Sequence, residues 1–153
     1  VKRLFGRDFV RIGRAARVAR HAERLGRETS GNLAVILTAA HLLEAGYPAA
    51  RQRHGEAAAE HLGAESLAAA RDVLTALKAR DELVAAVEAI LRAHHGADPD
   101  SSLEYQVIHD AALLADLEER RRDGRPLGSE ALPGIPFHTA AARRQAADLV
   151  EAA

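Results

Sequence analysis

Apolar residues recur along this chain in steps of three and four, the spacing of one helix face, rather than in alternation. Phe9, Ile12, Ala16, Ala19 and Ala22 open a first helix that the pattern ends near Gly26. Ser30, Gly31 and Asn32 offer a capping region before a second helix, Leu33 to Ala45, closed by Gly46. Pro48 suits the start of a third, about Ala49 to Leu62, which Gly63 ends. A fourth is predicted over Ser66 to Leu77, and Asp81 reads as the N-cap of a fifth that ends at His94-His95-Gly96. After a turn over Ala97 to Asp100, Ser101 and Glu104 form a capping box at the head of a long helix reaching Arg122. Three of the five prolines fall between Gly124 and Phe137, which is read as a loop, and His138 to Ala153 returns to helical composition. No alternating β-branched run is long enough for a strand. The pattern predicts an all-α, irregular bundle of about six to seven unequal helices. Residues 1–123 are expected to form one helical domain, with 124–153 as a loop and C-terminal helix packed on it.

Composition sharpens this picture. A chain of 153 residues fits one domain, and at this size folding buries roughly 70% of the unfolded surface. Apolar residues make up 48% of the chain and aromatic ones only 3%, so the core must be built from Ala, Leu, Val and Ile. Such small side chains suit closely approaching helices. A net charge of −1 argues against a dedicated nucleic-acid or membrane surface. The absence of cysteine excludes disulfides, thiolate catalysis and Cys-based metal sites. No uninterrupted apolar run approaches ~18 residues, and the opening VKRLFGRDF has no signal-type apolar segment. Together these lead to the expectation of a cytoplasmic protein. The chain also contains no methionine, even at its first position, which raises the expectation of flanking segments. Eight histidines are its chemical resource, and any metal site would have to combine them with carboxylates.

Taken in order, several stretches resemble the HD-domain superfamily of helical, metal-dependent phosphohydrolases. IGRAARVARHAERLG (Ile12 to Gly26) is similar to the family's first core helix, and AAHLLEAG (Ala39 to Gly46) to the helix that ends in its His-Asp pair. RHGEAAAEHL (Arg53 to Leu62) and AAARDVL (Ala68 to Leu74) resemble the next two helices, and ILRAHHG (Ile90 to Gly96) a paired-histidine segment. YQVIHDAALLADLEE (Tyr105 to Glu119) resembles the last helix, where an Asp-Ala-Asp pattern supplies the final ligand. The likeness covers roughly Phe5 to Glu119, with an echo at Phe137-His138-Thr139. It lies in the apolar frame and fails at the ligands. The first-helix histidine position is Arg14, the His-Asp pair falls on Leu43 and Glu44, and the last ligand position is Ala112.

Leucine and alanine donate nothing to a metal, and a guanidinium is permanently protonated and repels one. The resemblance therefore implies a scaffold that has lost its metal-ligand set, with no catalytic residues, no metal and no cofactor. Such a scaffold would serve as a ligand-binding or regulatory interaction domain. Arg14 is expected to take the place of the lost cation, paired with Glu44 and with Asp110. Candidate ligand contacts are Arg14, Glu44, His54, Arg71, His94, His95 and Asp110. Their ligand would be a small anion; a protein partner in a homo- or hetero-dimer is the other possibility, and nucleic acid and membrane are not expected. The alternative is a phosphohydrolase with a rearranged site, binding Fe, Mn, Ni or Zn through Glu44, His54, His94, His95 and Asp110. A third possibility is an interaction subunit whose cleft is filled. His21, His61 and His138 are read as solvated or locally hydrogen-bonded, and Glu118 to Asp123 as a solvated helix end.

Overall fold

The computed structural model describes residues 8–96 and 99–151. Phe5 at the start of the resembling stretch, Ala97 and Asp98 of the predicted turn, and the last two residues lie outside the described residues. Among the described residues there are seven α-helices: α1 Phe9–Thr29, α2 Leu33–Leu42, α3 Tyr47–His54, α4 Ala58–Ala76, α5 Asp81–His94, α6 Leu103–Arg122 and α7 Ala140–Glu151. Short 3-10 turns occupy Gly55–Ala57 and Ser129–Gly134, and no strand occurs among the described residues. The fold is all-α.

Helix α1 is central, packing most extensively against α6 and α2, with α7 closing over α6 and α1. Its inward positions Val18, Ala22 and Leu25 meet Ile36 and Ala39 of α2 and Ile108, Ala111, Leu114 and Ala115 of α6 in one apolar core. Alanines 22, 39, 111 and 115 are almost wholly buried, so helix backbones approach where aromatic residues would hold them apart. Val87, Ile90 and Leu91 bring α5 into the same core.

Local signals placed most boundaries, and the differences have physical causes. Gly26 does not end α1. The helix continues to Thr29 and closes at Ser30 in the left-handed region, with Gly31 N–H on the Gly26 carbonyl. At the head of α6, Ser102 rather than Ser101 caps, accepting Tyr105 N–H at 3.1 Å. Asp81 lies in the first turn of α5 rather than at its cap, where its charge and that of Glu82 complement the helix dipole. The predicted break at Gly63 falls instead at Gly55, whose φ of +55° a side chain resists. Gly63 is helical; a Cβ there would stand 2.8 Å from His95 Cβ, so it serves the α4–α5 approach.

The stretch Leu33–Ala76 includes an 18-residue window of mean hydropathy 1.3, enough by length and composition to cross a membrane. Half of that window is buried inside the fold, and the chain divides the stretch into α2, α3 and α4.

Gly46 and Gly55 distinguish two roles for glycine. A Cβ on Gly46 would lie 2.1 Å from the backbone of Glu65 and Ser66, and Gly46 N–H already donates to the Ser66 hydroxyl. Gly55 has open space around it. Gly46→Ala is therefore expected to cost about 3 kcal/mol or more through overpacking against backbone. Gly55→Ala is expected to cost only about 1 kcal/mol of conformational strain. Urea unfolding midpoints of the two variants check the order.

Candidate functional site

Helix α1 presents Arg11, Arg14 and Arg17 at three-residue intervals, so they share one side of the helix. That side meets Glu44, just past the end of α2, and Asp116 and Glu119 on α6. Arg14 lies in the middle. Its Nε donates to Glu44 Oε1 at 3.2 Å, and its Nη1 reaches Asp116 Oδ1 at 2.7 Å and Glu119 Oε2 at 3.3 Å. Arg11 donates to the other Glu44 oxygen at 2.9 Å while its guanidinium stacks 3.6 Å over the Tyr47 ring. Arg17 donates to Glu119 Oε1 at 2.9 Å. Three guanidiniums thus face three carboxylates across the junction of α1, α2 and α6.

The sites differ in exposure. Arg14 and Glu44 side chains are each 18% exposed, whereas Asp116 is 52% exposed. The Glu44 contact is consequently the stronger tie, and the Asp116 contact is screened by water. Burial works against the charge of Arg14, but Glu44, Asp116 and Glu119 outweigh it and raise its pKa above the ordinary arginine value.

The expected Arg14–Glu44 contact is present, whereas the expected Arg14–Asp110 contact is not. Asp110 is fully buried, and its carboxylate accepts from His138 N–H at 2.9 Å, Thr139 N–H at 2.8 Å and Thr139 Oγ1–H at 2.7 Å. It fixes the entry into α7, where the Thr139 hydroxyl accepts from Ala142 N–H. Asp116 and Glu119, six and nine residues further along α6, take its place beside Arg14.

The remaining candidates divide. His94 shares the surroundings of Glu44 and Arg14; burial, together with the charges of His95, His109 and Arg14, outweighs Glu44 and pushes its pKa down to about 4. His95 Nε2–H donates at 2.8 Å to the Leu43 carbonyl that the end of α2 leaves free. Arg71 is tied to Glu88 at 2.8 Å on the exposed side of α4 and α5. His54 stacks on His61 with ring centroids 3.6 Å apart, its Nε2 3.6 Å from Glu65 Oε1. Arg14 and Glu44 are in direct contact, His94 feels their charge, and Arg71 and His54 engage other partners.

Around Arg14 the interior is nearly full. Between Arg14, Val18, Ala40, Leu43 and Glu44 there remains a cavity of about 10 Å³, room for a single water. Outside it an open groove of about 760 Å³ runs between α1 and α6, walled by Phe9, Val10, Arg17, Asp116, Arg122 and Asp123. Phe9 and Val10 are each 77% exposed. Among the described residues, no three His, Asp or Glu side chains gather in a way that could hold a metal ion. No protein-family model, curated protein or solved structure matches the chain.

Sequence reasoning missed Arg11, Arg17, Asp116 and Glu119, and it misread two neighbours. Glu118, assigned to a solvated helix end, holds Arg20 at 2.6 Å and His21 Nε2 at 2.8 Å. His21 is buried and bonded across 97 positions rather than locally. The available signal was spacing, arginines at 11, 14 and 17 opposite acids at 116 and 119.

Two outcomes are expected. Arg14→Ala should destabilise by about 3 kcal/mol because Glu44 is left half-buried beside one remaining cation, and Arg14→Lys should recover only part, since an ammonium cannot span carboxylates on two elements. Chemical denaturation at neutral pH measures both. For His94, the unfolded chain takes up a proton near pH 6.5 and the folded one near 4. The unfolded state therefore holds more protons between these values, so His94's share of stability is complete above 6.5 and disappears as pH falls toward 4. Wild-type stability should drop across that window by roughly 2–3 kcal/mol more than that of His94→Gln. Melting curves at stepped pH give the comparison.

Proposed function

We propose that this chain is a non-catalytic interaction domain on a scaffold of the HD-domain type, in which an arginine side chain stands where that type holds its metal. The observation supporting this reading is the position of Arg14, bridging Glu44 after α2 to Asp116 and Glu119 on α6. The resemblance gives residues 14, 43, 44 and 112 to the ligand set. Hydrolysis by that chemistry needs a divalent ion to generate a hydroxide and polarise the phosphate ester. Leu43 and Ala112 offer no lone pair, and Arg14 brings its own fixed positive charge. Glu44, the one surviving donor of the four, is already engaged by two guanidiniums.

The nearly filled hollow favours an interaction role over a small-anion pocket. A cavity with room for one water admits no phosphate ester. The open groove outside it has a different character, apolar at Phe9 and Val10 and of mixed charge along Arg17, Asp116, Arg122 and Asp123. A surface of that kind suits a protein segment, from a second copy of this chain or from a different protein, more than an isolated anion.

The test is to rebuild what the resemblance says was lost. A variant carrying Arg14→His, Leu43→His, Glu44→Asp and Ala112→Asp should retain close to one Fe or Mn per chain through gel filtration, by elemental analysis, while wild type retains neither. Unchanged helicity by circular dichroism establishes that the variant is folded. A folded variant that gains no metal would overturn the assignment of these four positions. Wild-type protein that keeps a stoichiometric ion, losing it on Glu44→Ala, would restore the metallohydrolase reading.

A further inference from the structure

A second group of side chains lies where α6 meets the segment leading into α7. His109 on α6 and His138 just before α7 have ring centroids 4.4 Å apart with planes at 63°. Tyr105, one turn earlier on α6, has its ring 6.0 Å from each. His138 is exposed and His109 half-buried, so water reaches the pair.

The tautomer of His109 follows from its neighbour. Asp110 Oδ1 lies 3.2 Å from His109 Nδ1. That carboxylate also takes three donors from His138 and Thr139 and can only accept. In the neutral ring His109 Nδ1 therefore bears the proton and Nε2 keeps its lone pair. A carboxylate that fixes one ring nitrogen and leaves the other as donor is the arrangement that orients histidines toward metals.

Ring spacing comes close. With metal–nitrogen bonds of ~2.0–2.1 Å, two imidazoles on one ion at ~90–110° have centroids ~4.5–5.2 Å apart. The observed 4.4 Å falls just short of that range, and the exposed His138 can move outward by the difference. The other histidine pair contrasts. His54 and His61 lie nearly parallel, at 13° and 3.6 Å, so the rings meet face to face, and the neighbouring Glu65 is paired with Arg53.

We infer that His109 Nε2 and His138 form a two-imidazole site for a borderline divalent ion, Zn²⁺, Ni²⁺ or Cu²⁺, completed by water. Imidazole nitrogen selects these ions over Mg²⁺ and Ca²⁺, which prefer oxygen. The bound ion links α6 to the entry of α7 and adds to the hold that Asp110 already has there. This site does not depend on the fate of the Arg14 hollow, since neither histidine contacts Arg14 or Glu44 in the hydrogen-bonded network described above.

Calorimetric titration of untagged, metal-free protein with Zn²⁺, Ni²⁺ and Mg²⁺ tests it. One Zn²⁺ or Ni²⁺ per chain should bind with micromolar affinity and raise the melting temperature, and Mg²⁺ should do neither. His138→Ala removes an exposed side chain and leaves the fold intact; it and His109→Ala should each weaken binding about tenfold or more. His54→Ala and His61→Ala should leave it unchanged. Cu²⁺ electron paramagnetic resonance should show two nitrogen ligands in wild type and one in His138→Ala. Binding that survives His138→Ala undiminished, or disappears in His54→Ala, or is absent from wild type, overturns the site.

Discussion

A guanidinium does not leave water without a carboxylate to receive it, and at the junction of α1, α2 and α6 that requirement organises the surroundings. Arg14 reaches residues 30, 102 and 105 positions away in sequence. One side chain thus ties together three helices over an aliphatic, non-directional core, with Arg11–Glu44, Arg17–Glu119 and His21–Glu118 beside it. Removing one member of such a set costs more than the set contributes as a whole, because the partner left behind remains partly desolvated. The arrangement therefore fixes how the helices are oriented more than it adds to net stability.

The aliphatic core sets the conditions for that network. With almost no aromatic volume, the helices approach on alanine and glycine faces. Gly46 touches the backbone of Glu65 and Ser66, which fixes the turn after α2 and with it the position of Glu44. The same turn releases the Leu43 carbonyl to His95. Close packing of backbone thus positions the charged groups, and the charged groups fill the space that packing leaves. A cavity of about 10 Å³ is what remains.

Much of the fold was legible because helix periodicity and capping are local properties. The long α6 and the proline-rich segment after it follow from residues close in sequence, although the cap is Ser102 rather than Ser101. The break between α3 and α4 was misplaced from Gly55 to Gly63 because a glycine can mark either a left-handed turn or a close crossing, and only the partner helix decides. The Arg14–Glu44 pair was expected from the resemblance alone, which sets positions 14 and 44 around one lost cation. The roles of Asp110, Asp116 and Glu119 were not. All three lie on α6, and which of them faces α1 depends on helix rotation by a fraction of a turn. Asp110 was claimed by the unpaired amides and hydroxyl before α7, donors that a sequence does not reveal until the chain returns to them.

The central claim is that a protein cation, rather than a metal ion, holds the junction of α1, α2 and α6. Crystals grown with excess Mn²⁺ and measured across the manganese absorption edge address it directly. The account predicts guanidinium density from Arg14 against Glu44, Asp116 and Glu119, with no anomalous peak among them. A strong anomalous peak beside Glu44, with Arg14 displaced into solvent, would contradict it.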